Sequence, residues 1–147
     1  MATTRHATAT WSGDLLSGNG TVTAATTGAF RDQRTTWAAR TAEPEGVTSP
    51  EELLAAAHAS CFSMACSNIL AKAGTPPTRL DVEVAISADK QEAGWTVTTS
   101  EIRVRGIVPG ATQESFAAAA DEAKEGCPIS RALKGNVELS VEATLEV

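Results

Sequence analysis

The segment SPEELLAAAHASCFSMACSNILAKAG, residues 49 to 74, constrains the fold more than any other part of the chain. Ser49 followed by Pro50, with Glu52 at the third helical position, combines a capping serine, a proline suited to the first turn and a capping-box glutamate. Gly74, with Pro76 and Pro77 beyond it, stops the helix. Between these signals nearly every position from Leu53 to Ala65 is apolar or small. A helix with so little polar face is expected to be enclosed on most sides. Alanine dominates the charge-poor run Leu53 to Ala71, and His58, Ser60, Ser63, Ser67 and Asn68 interrupt it, unlike a lipid-facing span. It reads as a buried core helix.

The flanking sequence supplies the elements that would surround it. Ala7 to Trp11 and Gly20 to Ala25 alternate small or apolar with polar residues around Ser17-Gly18-Asn19-Gly20, which predicts a hairpin. Phe30 to Ala39 is expected to add a third strand before the polar stretch Arg40 to Ser49. Leu80 to Ser87 alternates, Trp95 to Val108 holds two further alternating runs, and Val137 to Val147 supplies another, all expected to pair antiparallel. Thr112 to Lys124 predicts a second long helix, capped by Thr112 and stopped by Gly126, and Cys127-Pro128 starts a helical turn through Leu133. This order of strands, helix, strands, helix and strand is that of an α+β domain. The chain has 147 residues and no internal repeat or long linker, so one domain over residues 1–147 is expected.

Composition narrows the function. Aromatic residues make up 4% of the chain, tyrosine is absent and the net charge is -6, which argues against a base-stacking platform or a phosphate-binding face for nucleic acid. An acidic or membrane partner is disfavoured as well. MATTRHATATWSGD has no apolar signal-peptide core, so the expected compartment is the cytoplasm. An odd number of cysteines in a reducing compartment is not a disulfide framework, which leaves chemistry or packing to explain Cys61, Cys66 and Cys127.

Taken alone, Cys61 reads first as a small hydrophobe in an enclosed helix. The helix dipole acts only near the first turn, so a reactive Cys61 thiolate would need a cation from elsewhere, and arginine suits the role. Cys127 follows a helix stop and precedes Pro128, where unpaired N–H groups can favour a thiolate; it fits either a mobile resolving thiol or a partly buried loop residue. Cys66 lies about 140° around the helix from Cys61 and reads as packing. His58 and Cys61 share a face, and with Cys127 they offer a weak zinc alternative; His58 reads more readily as a core histidine donating to a backbone carbonyl. Glu51 and Glu52 suit the helix N-terminus in any case. Trp11, Trp37 and Trp95 are expected as core or interface anchors, with one a candidate to line an apolar pocket.

SPEELLAAAHASCFSMA, followed far downstream by GCPISRAL, resembles the OsmC/Ohr family of thiol-dependent peroxidases, and ATWSGDLLSGNGTV resembles its OsmC branch. The resemblance implies an OsmC-like fold, with antiparallel sheets around the central helix, in an intertwined homodimer with two sites at the subunit interface. It makes Cys61 the peroxidatic cysteine, Cys127 the resolving cysteine and Glu51 the partner of a catalytic arginine. In the OsmC branch that arginine precedes the central helix by a short loop, which carries the role to Arg40, with Arg31 and Arg34 nearby. The Ohr branch places its arginine in the first hairpin loop, and Ser17-Gly18-Asn19-Gly20 has none. No cofactor or metal is implied. The implied substrates are organic hydroperoxides, with hydrogen peroxide as a second candidate, and the implied reductant is a dithiol of the lipoyl type.

Glu51 and Cys61 lie about 15 Å apart along an ideal helix axis, so a long arginine or a second subunit must link them if both serve one site. The competing reading is a non-catalytic small-ligand or metal-binding stress protein on the same fold.

Overall fold

The computed structural model describes residues 1–146. The chain divides into two compact units, Met1–Leu53 and Leu54–Val147. In the first, β1 (Thr8–Ser12) pairs antiparallel with β2 (Asn19–Thr23), from Thr8 opposite Thr23 to Ser12 opposite Asn19, and β3 (Gln33–Thr35) adds to β2. The expected hairpin is present, but its loop is residues 13 to 18, and Asn19 and Gly20 already belong to β2. Asp14 organises that loop by accepting the Ser17 N–H and hydroxyl, both at 2.8 Å. The Ser17 N–H, and then its hydroxyl, hold the Asp14 carboxyl below its ordinary pKa. A Cβ on Gly20 would come within 2.7 Å of the ring of Trp11, its cross-strand partner, so glycine lets the indole lie against the strand.

The third strand is shorter than Phe30 to Ala39. The Thr36 hydroxyl accepts the Ala39 N–H at 3.0 Å and so caps a short helix, α1 (Trp37–Thr41). The long helix α2 (Pro50–Lys72) follows. Its predicted capping box is half formed. Ser49 accepts the Glu52 N–H at 3.2 Å, while the Glu52 carboxylate turns to the Thr48 hydroxyl at 2.6 Å.

In the second unit α2 ends where Gly74 adopts a φ of 83° and the Thr75 N–H returns to the Leu70 carbonyl at 3.0 Å. Its length and hydropathy would allow a membrane span by composition alone. Instead His58, Phe62, Cys66 and Leu70, four residues apart, form a buried stripe, the mark of a core helix. Enclosure on most sides is not met within one chain: Met64 is 65% exposed, and Ala56, Ala57 and Ser60 are open.

The second sheet has the order β4 (Arg79–Gln91), β5 (Gly94–Ile107), β6 (Glu138–Glu146). The two runs read within Trp95 to Val108 are one continuous strand, antiparallel to β4. β6, expected to be antiparallel, runs parallel to β5. The reason is the crossover between them: α3 (Gln113–Gly126) and α4 (Pro128–Leu133) carry the chain back before β6 begins, as parallel pairing requires. α3 starts at the predicted Thr112 cap, which exchanges hydrogen bonds with Ser115 in a full capping box. Along β5, Ser100, Ile102 and Val104 alternate inward. Gly106 leaves room for Phe116, whose Cζ would lie 2.6 Å from a Cβ there.

Phe62, Cys66 and Leu70 of α2 meet Ile102 and Val104 of β5 and Phe116, Ala120 and Ala123 of α3 in one core. Phe62 is 0% exposed, and Phe62→Ala is expected to cost about 3–5 kcal/mol through lost contacts and a cavity. Denaturant unfolding measures this as a lower midpoint with little change in slope.

Candidate active site

In the first unit α1 is too short to be a packing element, but it orients two side chains. Trp37 and Arg40, three positions apart, fall on one face, and the guanidinium carbon lies 5.6 Å from the indole centroid. Arg40 Nε donates to Glu51 Oε1 at 2.7 Å, with the arginine side chain 31% and the glutamate 12% exposed. A guanidinium has more N–H donors than one carboxylate oxygen can accept, so it can hold a carboxylate and still bind a second acceptor. Among the described residues neither Arg31 nor Arg34 forms an ion pair with a carboxylate. Arg31 lies instead over Gly28. Arg40 also borders a cleft of about 500 Å³ lined largely by carbon, including Trp11, Leu15, Val22, Trp37 and Leu53. Two of the three tryptophans thus line an apolar pocket, and the indole N–H of Trp11 is satisfied by the Gly13 carbonyl at 3.1 Å.

The second unit brings Cys61 and Cys127 together. Cys61 is partly buried on α2, while Cys127, the non-helical residue joining α3 to α4, is fully rather than partly buried, at 0% exposed. Its N–H bonds the Ala123 carbonyl at 3.0 Å, closing α3, and its sulfur accepts the Ser130 N–H at 3.3 Å, opening α4. Burial pushes the Cys61 thiol above its ordinary pKa; the backbone N–H of Ile129 pulls it down, and the neighbouring Cys127 thiol pushes it up again. The N–H groups expected to be free at the start of this turn therefore serve both sulfurs. Cys66 sits in the core, with its pKa raised by burial to about 11.

His58 differs from its sequence reading. It donates to no backbone carbonyl; Nδ1 lies 2.7 Å from the Ser100 hydroxyl and Nε2 lies 2.7 Å from the Ser130 hydroxyl. Ser130 in turn lies 3.2 Å from the Cys127 sulfur. Burial lowers the His58 pKa and favours the neutral ring. A zinc ion would have to displace one of these serines, and among the described residues no group of three His, Cys, Asp or Glu side chains is gathered to hold a metal. Sequence reasoning missed Ser100 and Ser130. The available signal was a serine at an inward position of β5, beside Ile102 and Val104, where a buried hydroxyl requires a polar partner.

Residues 43–142 match the family model described as OsmC-like protein. The chain belongs to the OsmC family. Peroxiredoxin OsmC of Escherichia coli is 39% identical over 132 residues, covering 90% of this chain and 91% of that protein. Organic hydroperoxide resistance protein-like 2 of Staphylococcus epidermidis is more distant, at 28% identity over 101 residues, 67% of this chain and 69% of that protein. This difference supports the OsmC branch over the Ohr branch. The crystal structure of the organic hydroperoxide resistance protein OhrB of Bacillus subtilis superposes with a TM-score of 0.72 at 25% identity, over 95% of this chain and 98% of that one. The α+β architecture is thus the OsmC/Ohr fold.

Proposed function

We propose that this OsmC-family chain is a cysteine-based peroxidase in which Cys61 attacks a hydroperoxide and Cys127 closes a disulfide. The contact between the partly open Cys61 thiol and the buried Cys127 thiol carries this reading. The names of the E. coli and staphylococcal relatives support the activity. In the first step the Cys61 thiolate attacks the distal peroxide oxygen, the O–O bond breaks, a Cys61 sulfenic acid forms, and the departing alkoxide takes a proton from solvent to leave as the alcohol. Cys127 then attacks the oxidised sulfur; the S–S bond forms as the S–O bond breaks, and water leaves. A dithiol reductant, of lipoyl type on family resemblance, restores both thiols by exchange.

On family resemblance Arg40, held by Glu51 and beside Trp37, is the cation that the Cys61 thiolate and the peroxide require. The carbon-lined cleft beside Arg40 favours the alkyl group of an organic hydroperoxide. Residues 1–147 act as one OsmC-like domain in the cytoplasm. The small, apolar face of α2 around Met64, open in the single chain, suits the twofold interface of a homodimer. A stable monomer with full activity would rule out a site assembled from two subunits.

The test is stoichiometry. Cys127→Ser keeps the attacking thiol but has no resolving one, so without reductant it is expected to consume one peroxide per active site and stop at a Cys61 sulfenic acid trappable with dimedone. Repeated turnover by Cys127→Ser through an intramolecular disulfide would contradict the assigned resolving role.

A further inference from the structure

We propose that Ser130 and His58 form a relay that removes the Cys127 proton during disulfide closure, with Ser100 holding the second ring nitrogen. The proposal rests on the two-cysteine peroxidase reading and assigns residues to its second step. The observation that carries it is a continuous buried chain: Cys127 Sγ to Ser130 Oγ at 3.2 Å, Ser130 Oγ to His58 Nε2 at 2.7 Å, and His58 Nδ1 to Ser100 Oγ at 2.7 Å. All four residues are 0–1% exposed. To attack the Cys61 sulfur, Cys127 must lose a proton, and its burial leaves no direct path to water. The Ser130 hydroxyl touches it and is able to accept.

One of the two neutral tautomers aligns every donor towards the ring, and the relay uses that one. A neutral imidazole has one donor and one acceptor nitrogen. If Nδ1–H donates to Ser100, Nε2 accepts from the Ser130 hydroxyl, and the Ser130 oxygen is then directed to accept from Cys127. Burial favours the neutral ring, with one nitrogen lone pair free to accept, and makes the imidazolium a transient form that gives its proton back readily. In the step, Cys127 passes its proton to Ser130 as Ser130 passes its own to Nε2. The Cys127 sulfur pair forms the S–S bond, the Cys61 S–O bond breaks, and hydroxide leaves. The proton that the imidazolium releases through solvent neutralises the leaving hydroxide, so the sum is thiol plus sulfenic acid giving disulfide plus water. The arrangement follows the logic of a nucleophile, a base and an orienting third group, with a serine inserted between base and nucleophile. Ser130, in contact with the reacting sulfur, is therefore a catalytic residue for closure, and His58 acts on Cys127 through it.

The experiment is single-turnover mixing of reduced full-length protein with cumene hydroperoxide, following the peroxide-dependent oxidation of Cys61 and then the peroxide-independent closure of the disulfide, in H2O and D2O. In the wild type, closure is expected to slow in D2O. Ser130→Ala is expected to slow closure on the order of 10²-fold and lose that isotope effect, while Ser130→Thr, which keeps the hydroxyl, restores both. His58→Gln, which retains hydrogen bonding without a base, is expected to behave like Ser130→Ala. A hydroxyl needed only for packing would leave the wild type without an isotope effect on closure, and that result overturns the relay even if Ser130→Ala fails to fold. A normal first phase with Ser130→Ala closing at the wild-type rate also overturns it. Absence of the first phase in the wild type would instead overturn the peroxidase reading, and the relay with it.

Discussion

Cys61→Ser is expected to lose turnover of cumene hydroperoxide to background, a fall of about 10⁴-fold or more if it follows other nucleophile deletions. A serine hydroxyl has nearly the same size and stays protonated at neutral pH, so the chemistry is removed while α2 remains intact. Neither remaining thiol offers a substitute. Cys66 is fully buried and its pKa is pushed up to about 11, which leaves almost no thiolate. Cys127 is fully buried and its sulfur is already held by Ser130. Coupled peroxide consumption measures the loss, and an unchanged melting temperature separates it from misfolding. Normal turnover by Cys61→Ser would refute the assigned nucleophile.

Arg40→Ala is expected to lower the rate of Cys61 oxidation on the order of 10²-fold near neutral pH, the usual scale for removing one group that stabilises developing charge. Burial already raises the Cys61 pKa, and the Ile129 N–H offsets it only in part. On the proposed mechanism, removing the guanidinium makes the reactive thiolate scarcer, and Glu51 loses its bond to Arg40. The sign of the pH dependence follows. Because thiolate is the reactive form, the variant's rate should climb with pH over a higher range than the wild type's. Arg40→Lys keeps the charge but loses the fork and the Nε bond to Glu51, so it should recover only part of the rate. Arg31→Ala and Arg34→Ala serve as controls, measured by rapid mixing across pH. A large effect in either with none at Arg40 would reassign the cation.

The contrast between α2 and β6 explains what was legible in the sequence. α2 was readable because its start and stop are local: Ser49, Pro50 and Gly74 act on backbone groups within one turn. β6 was readable as a strand but not in direction, because the alternation of Val137 to Val147 is the same in either sense and the α3–α4 crossover decides it. Trp37 to Ala39 reads as strand by composition, and only the Thr36 cap turns it into helix. The open face of α2 was invisible because an apolar residue buried by its own chain and one left open look alike in sequence.

The candidate site divides in the same way. Glu51, Cys61 and Cys127 lie in two motifs, while Arg40 came only from the resemblance of the loop before the central helix; in the structure Arg40 bonds Glu51 and the Cys61 and Cys127 thiols are neighbours. The partners of His58 carried no motif. Ser100 and Ser130 lie 42 and 72 residues away from it, and only the packing of β5 and α4 on α2 brings their hydroxyls to the ring.

The two-cysteine peroxidase is tested by rapid mixing of the reduced wild-type protein with cumene hydroperoxide and, separately, hydrogen peroxide, followed by disulfide mapping. Fast loss of the Cys61 and Cys127 thiols is expected, faster with the organic peroxide, with a Cys61–Cys127 disulfide and an intact Cys66. Thiols that survive both oxidants at the rate of an ordinary free cysteine, or a disulfide that includes Cys66, would contradict the two-cysteine peroxidase.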